Sequence, residues 1–306
     1  MKGKQGLVCM GLLLVLSSCH TGKQITASGL QRKDFQTEVN GQHTDLFTLS
    51  NKQGMEVCIT NYGARVVSIL VPDRNGKRED VVCGFSTITE YMEQRQNFGS
   101  TVGRYIGRIL NARFTLDGVE YKLVPNNGKS GHISHGGNPG FADRIWKVEQ
   151  ADTHRVRLSY LSPDGENGFP GNLKVTLVYS LGEDDNALDL TYEATTDAPT
   201  VLNLSHHSFF NISGNFTKSV EDQQLWVDAD RFTPYDDKKC VTGEYLPVAG
   251  TPLDFRMPHT IGECIDADHP QLKVVNGYDH TWELNTKGDD TRPAAWVYDL
   301  SLIHIS

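Results

Sequence analysis

Two adjacent histidines lie in a segment whose residue types suit acid–base chemistry on a sugar. Residues Asn203–Asn211 read NLSHHSFFN and follow a strand-like stretch. In an extended segment alternate side chains share a face, so His207 and Phe209 lie on one side and His206 on the other. An imidazole titrates near neutrality and can serve as a general acid, while the aromatic ring offers a flat surface to the C–H face of a sugar. A metal site is the alternative, but the segment has no ligand spacing typical of one.

Two arginines form a second candidate cluster. Arg104 and Arg108 lie four residues apart in the sequence GRYIGRI, which runs from Gly103 to Ile109. The glycines allow a ligand to approach the backbone closely. An arginine offers several N–H donors in a fixed fork to sugar oxygens. The segment therefore predicts sugar binding, with a surface ion pair as the alternative.

Two loop segments complete the candidate site. His135 precedes two glycines, which leave room beside the imidazole. Asp279 lies in the sequence NGYDH, and its carboxylate can accept hydrogen bonds from two neighbouring hydroxyls. The alternatives are a solvated loop histidine and an Asx-turn.

Composition and motif content argue against several other functions. The 306-residue chain carries a formal net charge of −9, which disfavours nucleic acid as a partner because phosphate binding needs a basic surface. The sequence contains no GxSxG, P-loop or dinucleotide-binding glycine pattern. Its six cysteines show no CxxC pairing, so we expect no zinc site. We expect buried free thiols for the four cysteines outside the N-terminal segment.

The elements that must position these residues are mostly β-strands. Runs rich in valine, isoleucine, threonine and tyrosine alternate with turn signals from about residue 34 onward. The clearest strands are Val57–Thr60, Val66–Val71, Arg155–Tyr160, Leu173–Leu181, Ala187–Ala194, and the pair Phe114–Leu116 and Val119–Leu123 around an Asp-Gly turn. The best helix candidate is Thr87–Gln94. Close strand spacing without a βαβ rhythm indicates one all-β domain, an antiparallel sandwich or barrel.

The N-terminal residues have the pattern of a targeting segment. Lys2 and Lys4 precede an apolar run over residues 7–16 that is too short to span a bilayer as a stable helix. The sequence LSSC, ending at Cys19, resembles a bacterial lipobox. We therefore expect a signal peptide over residues 1–18, lipidation of Cys19, a flexible tether over residues 19–33 and a domain over residues 34–306. This predicts export and anchoring on the periplasmic side of a bacterial envelope; a plain secretory signal is the alternative.

Taken in order, the clusters resemble the aldose 1-epimerase (galactose mutarotase) family over roughly residues 40–299. GRYIGRI resembles the family's GRxxNRI, with Gly107 where asparagine is common. NLSHHSFFN resembles NLTNHSYFNL, with His206 in place of asparagine. Further matches are the Phe114–Tyr121 hairpin, HGG at 135–137, SPDGENGFPG at 162–171, GTPLDFR at 250–256 and GYDH at 277–280.

The resemblance implies an antiparallel β-supersandwich, of the galactose mutarotase type, that interconverts the α and β anomers of free hexoses such as galactose and glucose. It implies no cofactor and no metal. By transfer, His207 is the catalytic acid. His135 and Arg108 hold oxygens near the reacting centre, Asp279 binds hydroxyls and Phe209 lines the pocket. Gly107 belongs to the same substrate-binding segment, and its missing side chain removes one contact.

The resemblance also implies a catalytic base, a glutamate in a later segment. The strand-like residues 294–299 look like the lead into that segment, and the sequence then reads LSLIHIS and stops. We expect an incomplete or misread gene that lacks the last strands, with a shortened protein as the alternative. Other functions left open are a non-catalytic sugar-binding lipoprotein and an epimerase of phosphorylated sugars that uses Arg104 and Arg108. A glycosidase is disfavoured because no convincing carboxylate pair is present.

Overall fold

Two four-stranded antiparallel sheets pack face to face around the larger core of the protein. The computed structural model describes residues 25–299 and the backbone of residues 304–305. The strands of the first sheet are, in order, Leu46–Ser50, Glu56–Thr60, Arg65–Pro72 and Arg78–Asp80. Those of the second sheet are Lys147–Ala151, Arg155–Ser162, Leu173–Leu181 and Leu188–Thr196.

The alternation of side chains along these strands explains the packing. In Leu173–Leu181 the odd-numbered residues are all buried, as the two-residue period of a strand requires. They join apolar residues of the first sheet in one cluster that also contains Phe141 and the fully buried Trp146. Burial of this apolar surface is the main stabilising contribution here, at about 25 cal/mol per Å².

A smaller core lies under the C-terminal part of the chain. One sheet contains His259–Thr260, Gln224–Val227, Ala295–Tyr298 and His304–Ile305, and another contains Leu246–Pro247, Ala229–Thr233 and Thr281–Leu284. Phe232 and Phe255 are almost fully buried beneath these sheets, and Tyr278 and Trp282 pack against both. These strands are short, so the core depends on aromatic rings rather than on long alternating runs.

Short two-stranded pairs join the parts of the sequence that carry the candidate site. Arg108–Ile109 pairs with Ile133–Ser134, and Thr101–Val102 pairs with Ser205–His206. The remaining pairs are Glu38–Val39 with Gln42–His43 and Arg113–Leu116 with Val119–Lys122. In the last hairpin Asp117 and Gly118 have φ values of 51° and 78°, as a two-residue type I′ turn requires.

Helices are short in the described part of the chain. Ile88–Gln94 begins after Thr87, whose hydroxyl accepts a hydrogen bond from the backbone N–H of Glu90, a standard N-cap contact. The second α-helix, Pro270–Val275, begins with proline at its first turn and was not predicted from the sequence. Single 3₁₀ turns occupy Arg32–Phe35, Leu110–Ala112, Gly128–Ser130, Phe141–Asp143, Glu166–Gly168 and Ile261–Glu263.

The N-terminal boundary of the folded chain differs from the prediction. Residues 25–33 were assigned to a flexible tether, but Thr26 is buried and the N–H of Ala27 donates to the Glu56 carboxylate over 2.6 Å. Composition could not reveal this because the acceptor lies 29 residues away. The predicted signal peptide and Cys19 lie outside the described residues. No helix within residues 25–299 is long and apolar enough to cross a membrane.

All four described cysteines are free thiols, as predicted, but burial was predicted for all four and is found for only two. Cys58 and Cys240 are buried, whereas Cys83 and Cys264 are half-buried. Burial raises the pKa of the Cys58 thiol to about 12, so it behaves as a small apolar side chain.

Candidate active site

Arg108 and His135 meet where their two short strands pair. Arg108 lies opposite Ser134 in the register, and the next residue, His135, exchanges two hydrogen bonds with Gly107. The N–H of His135 donates to the Gly107 carbonyl over 2.9 Å, and the Gly107 N–H donates to His135 Nδ1 over 3.2 Å. Because Nδ1 is an acceptor, the neutral ring carries its proton on Nε2. His135 therefore has one N–H donor left for a ligand.

His207 reaches the same place from a different part of the sequence. Its backbone N–H donates to the Ser100 carbonyl over 2.9 Å, and its carbonyl accepts from the N–H of Gly99 over 3.0 Å. The rings of His207 and His135 lie 5.2 Å apart at 90°. Phe209 lies 5.0 Å from the His207 ring and is 45% exposed. The structure thus brings together the predicted acid, the second histidine and the aromatic surface.

Burial disfavours the charged form of both site histidines. It lowers the pKa of His135 to about 4, with smaller contributions from the charges of His207 and Arg108. The pKa of His207 is lowered too, chiefly by burial, and the Arg65 charge adds to that effect. A hydrogen bond to the backbone and the charge of Asp279 oppose it. Of the two histidines, His207 is therefore the one whose protonated form is stabilised by a carboxylate, that of Asp279.

The segment around Asp279 forms the other side of the site. Asp279 is exposed, and its charge acts on His207, Tyr235 and His280. The Tyr235 hydroxyl donates to the main-chain carbonyl of Asp279 over 2.8 Å. An exposed carboxylate near a histidine and an arginine can accept hydrogen bonds from sugar hydroxyls.

A cavity of about 310 Å³ opens beside Arg108 and His135. Its walls also include Ser134 and Gly137 from the predicted histidine segment. They further include residues that the sequence did not single out as site candidates: Arg95, Asn97, Asn126, Asn127, Asn138, Gly140, Ala142 and Asp143. Most are asparagines or small residues on loops, a composition that sequence alone attributes to turns. A cavity of about 480 Å³ between Glu221 and Lys273 contains none of the predicted site residues.

Arg104 does not belong to the site, contrary to its treatment as a candidate for binding sugar or phosphate. It is 1% exposed, and its guanidinium donates to the carbonyls of Ser162, Pro163, Pro170 and Gly171 at 2.7–3.0 Å. Its Nε also donates to the Ser162 hydroxyl over 2.9 Å. All its donor nitrogens are thus engaged with the 162–171 segment. Of the two candidate arginines, only Arg108 remains for a ligand.

Similarity to known proteins decides the family. A family model described as aldose 1-epimerase matches residues 45–301. The chain belongs to the aldose 1-epimerase family. It is 38% identical to galactose mutarotase of Sus scrofa over 238 residues, which are 78% of this chain and 66% of that protein. It is 37% identical to aldose 1-epimerase of Escherichia coli K12 over 259 residues, which are 85% and 73% of the two chains.

Solved structures agree with this aldose 1-epimerase assignment. A galactose 1-epimerase from Lactobacillus acidophilus NCFM has a TM-score of 0.75 and 31% identity, covering 86% of this chain and 75% of its own. A GalM/aldose epimerase homologue from C. elegans has a TM-score of 0.73 and 31% identity, with 84% and 76% covered. The matched part of the chain thus covers 66–76% of the length of these relatives. The predicted family and the antiparallel β-sandwich fold are confirmed.

Two departures from the family's sequence pattern have different structural settings. Gly107 has φ +77°, and a Cβ added there would meet no described atom within 4 Å, so the position opens into space beside Arg108. His206 is instead directed inward. Its Nε2 lies 2.6 Å from the Ser208 hydroxyl, its ring contacts the buried Tyr179, and burial lowers its pKa to about 4.

Among the described residues, no group of three or more histidine, cysteine, aspartate or glutamate side chains converges as a metal site would require.

Proposed function

We propose that this protein interconverts the α and β anomers of a free aldohexose, such as galactose or glucose, by opening and reclosing the pyranose ring. The observation that carries the proposal is the His135–His207 pair beside the exposed ring of Phe209, with Arg108 and Asp279 at its edges. The names of the relatives, galactose mutarotase and aldose 1-epimerase, support the same activity.

In this proposal His207 is the acid that protonates the ring oxygen. As the C1 hydroxyl loses its proton to a base, the bond between C1 and the ring oxygen breaks and an aldehyde forms. Rotation about C1–C2 exposes the other face of the carbonyl. Reclosure returns the ring-oxygen proton to His207, and the base returns its proton to the C1 oxygen. Since burial lowers the pKa of His207, its imidazolium gives up a proton readily. Asp279 opposes that shift and keeps the protonated form accessible.

The other site residues orient the sugar in this scheme. His135 is neutral and donates from Nε2, so it can hold a sugar oxygen without adding a second positive charge beside His207. Arg108 retains donors beyond the one that it gives to the Lys239 carbonyl. Asp279 accepts from hydroxyls, and the exposed Phe209 ring supports the apolar face of the sugar.

Polarimetry of freshly dissolved α-galactose tests the activity. We expect the purified protein to speed the approach to anomeric equilibrium, and calorimetry to show galactose binding. Binding without any change in the mutarotation rate would favour the non-catalytic sugar-binding alternative. Absence of both galactose binding and catalysed mutarotation would refute the proposal.

We also propose export and lipid anchoring through Cys19. The support is sequence alone: the positive start, the apolar run over residues 7–16 and the LSSC sequence. Labelled fatty acid should be incorporated into the parent chain expressed in a bacterium and not into a Cys19→Ser variant. Equal labelling of both chains, or of neither, would contradict the lipid anchor.

A further inference from the structure

One surface loop contacts two candidate sugar-binding residues that come from distant parts of the chain. At one end of the loop, residues 235–241, the Tyr235 hydroxyl donates to the Asp279 carbonyl over 2.8 Å. Near the other end, the Lys239 carbonyl accepts a hydrogen bond from Arg108 Nη1 over 3.1 Å. Arg108 is 131 residues from Lys239 in sequence, and Asp279 is 44 residues from Tyr235. The loop therefore joins two edges of the site that no strand pairing among the described residues connects directly.

The loop itself is held in shape from both sides. The Asp236 carboxylate accepts from the N–H groups of Lys238 and Cys240, each over 2.9 Å. Gln271 accepts from the Tyr235 N–H over 2.8 Å and donates to its carbonyl over 3.0 Å. A loop held by this many local hydrogen bonds is rigid enough to fix the position of the residues that it contacts.

The Tyr235 ring adds a second contact to the same segment. Its centroid lies 5.3 Å from the ring of His280, which is the residue after Asp279. The ring packing and the hydroxyl contact are separable, because phenylalanine preserves the first and removes the second. This makes Tyr235 suitable for a test in which shape is kept and one hydrogen bond is lost.

We propose that Tyr235 is a positioning residue for the sugar site, which fixes Asp279 through its hydroxyl while its loop fixes Arg108 through the Lys239 carbonyl. The proposal rests on the proposed function for its effect on sugar binding. Its effect on the geometry of Asp279 does not depend on that function. The loop sets the separation between a hydroxyl acceptor and a hydroxyl donor, so it selects the sugar hydroxyl pattern that the two can bind together.

A consequence for His207 follows from its electrostatic surroundings. The charged groups that act on it are Asp279 and Arg65, while its own charge lowers the pKa values of the neighbouring His135 and His206. Only Asp279 among them favours the protonated imidazole. If Asp279 becomes free to turn towards solvent, the pKa of His207 falls further.

The main experiment uses Tyr235→Phe, with Tyr278→Phe as the matched control. Tyr278 also donates its hydroxyl to a main-chain carbonyl, that of Pro252, over 3.0 Å, so both variants lose one bond of the same kind. We expect Tyr235→Phe to raise KM for galactose by about three- to tenfold and to lower kcat by a smaller factor, since Asp279 binds sugar before and during the reaction and also favours the protonated form of His207. NMR titration should show a lower pKa for His207 in this variant only.

A double-mutant comparison identifies the route of the effect. In an Asp279→Asn background, Tyr235→Phe should raise KM little further if it acts through Asp279. If it acts by another route, it should raise KM by the same factor as in the parent chain. Asp236→Ala loosens the loop without altering Tyr235 and should also raise KM, which provides a second variant if the first folds poorly.

The outcomes separate this inference from the proposed function. A parent chain that neither binds nor turns over galactose refutes the function, yet the NMR titration still decides the role of Tyr235. An unchanged His207 titration in both loop variants, or equal shifts in Tyr235→Phe and Tyr278→Phe, would overturn the inference.

Discussion

Two short segments each supply one polar side chain to an inward layer, which packs into the fold, and one to a site-facing layer. Arg104 and Arg108 lie four residues apart, yet Arg104 is 1% exposed and bound to main-chain carbonyls, whereas Arg108 lines the cavity. His206 and His207 are adjacent, yet His206 contacts the buried Tyr179 and His207 contacts His135. Residue type is the same within each pair, so backbone direction and the neighbouring carbonyls decide whether a side chain holds the fold or serves the reaction.

The largest expected effect is on catalysis by His207. Replacing it with asparagine removes the general acid and should lower the mutarotation rate by about 10²–10⁴-fold. The matched control is His206→Asn, which alters the inward neighbour and should keep most of the activity. Polarimetry measures both. Equal losses in the two variants would mean that the layers do not differ in function.

Replacing Arg104 should lower the stability of the fold, whereas replacing His207 lowers catalysis. Arg104→Met leaves the carbonyls of Ser162, Pro163 and Gly171 without their buried donor. We expect a loss of about 3 kcal/mol or more in the free energy of unfolding, measured by urea titration. Arg108→Met is the control and should cost less than about 1 kcal/mol while reducing galactose turnover roughly tenfold or more. A stable Arg104→Met protein would remove the distinction between the two arginines.

Stability should also depend on pH through the inward histidine. Burial lowers the pKa of His206 to about 4 in the folded chain, against about 6.5 for an unfolded chain. Its contribution is therefore fully present above pH 6.5 and is lost as the pH falls towards 4, because the unfolded state binds the proton first. His206→Asn should reduce the slope of unfolding free energy against pH by up to about 1.4 kcal/mol per pH unit.

Two other histidines should also contribute to the dependence of unfolding free energy on pH. His135 and His280 also have pKa values lowered to about 4, chiefly by burial, so the variant should keep part of the slope. Urea titrations at several values between pH 4 and pH 7 would separate the contributions. An identical slope in parent and variant would show that His206 is not buried as the inward layer requires.

The sequence predicted local features better than the partners of inward residues. Leu173–Leu181 was predicted with its observed bounds because its alternation spans a whole strand. The Asp117-Gly118 turn marked a separate hairpin between Arg113–Leu116 and Val119–Lys122. The site histidines and Arg108 followed from the family resemblance. The burial of Arg104 could not be predicted, because its acceptors lie 58–67 residues away. Likewise, the contact between Tyr235 and Asp279 exists only after folding.

The smallest expected effect tests whether the site-facing layer has room for one more contact. The family commonly has asparagine where this chain has Gly107. A new side chain there would meet no described atom within 4 Å, and asparagine tolerates a positive φ better than most residues. Gly107→Asn should therefore lower KM for galactose a few-fold at a stability cost within about 1 kcal/mol. Gly107→Ala places a side chain at the same positive φ without the amide, so any gain shared by both variants would show that the added contact is not the cause.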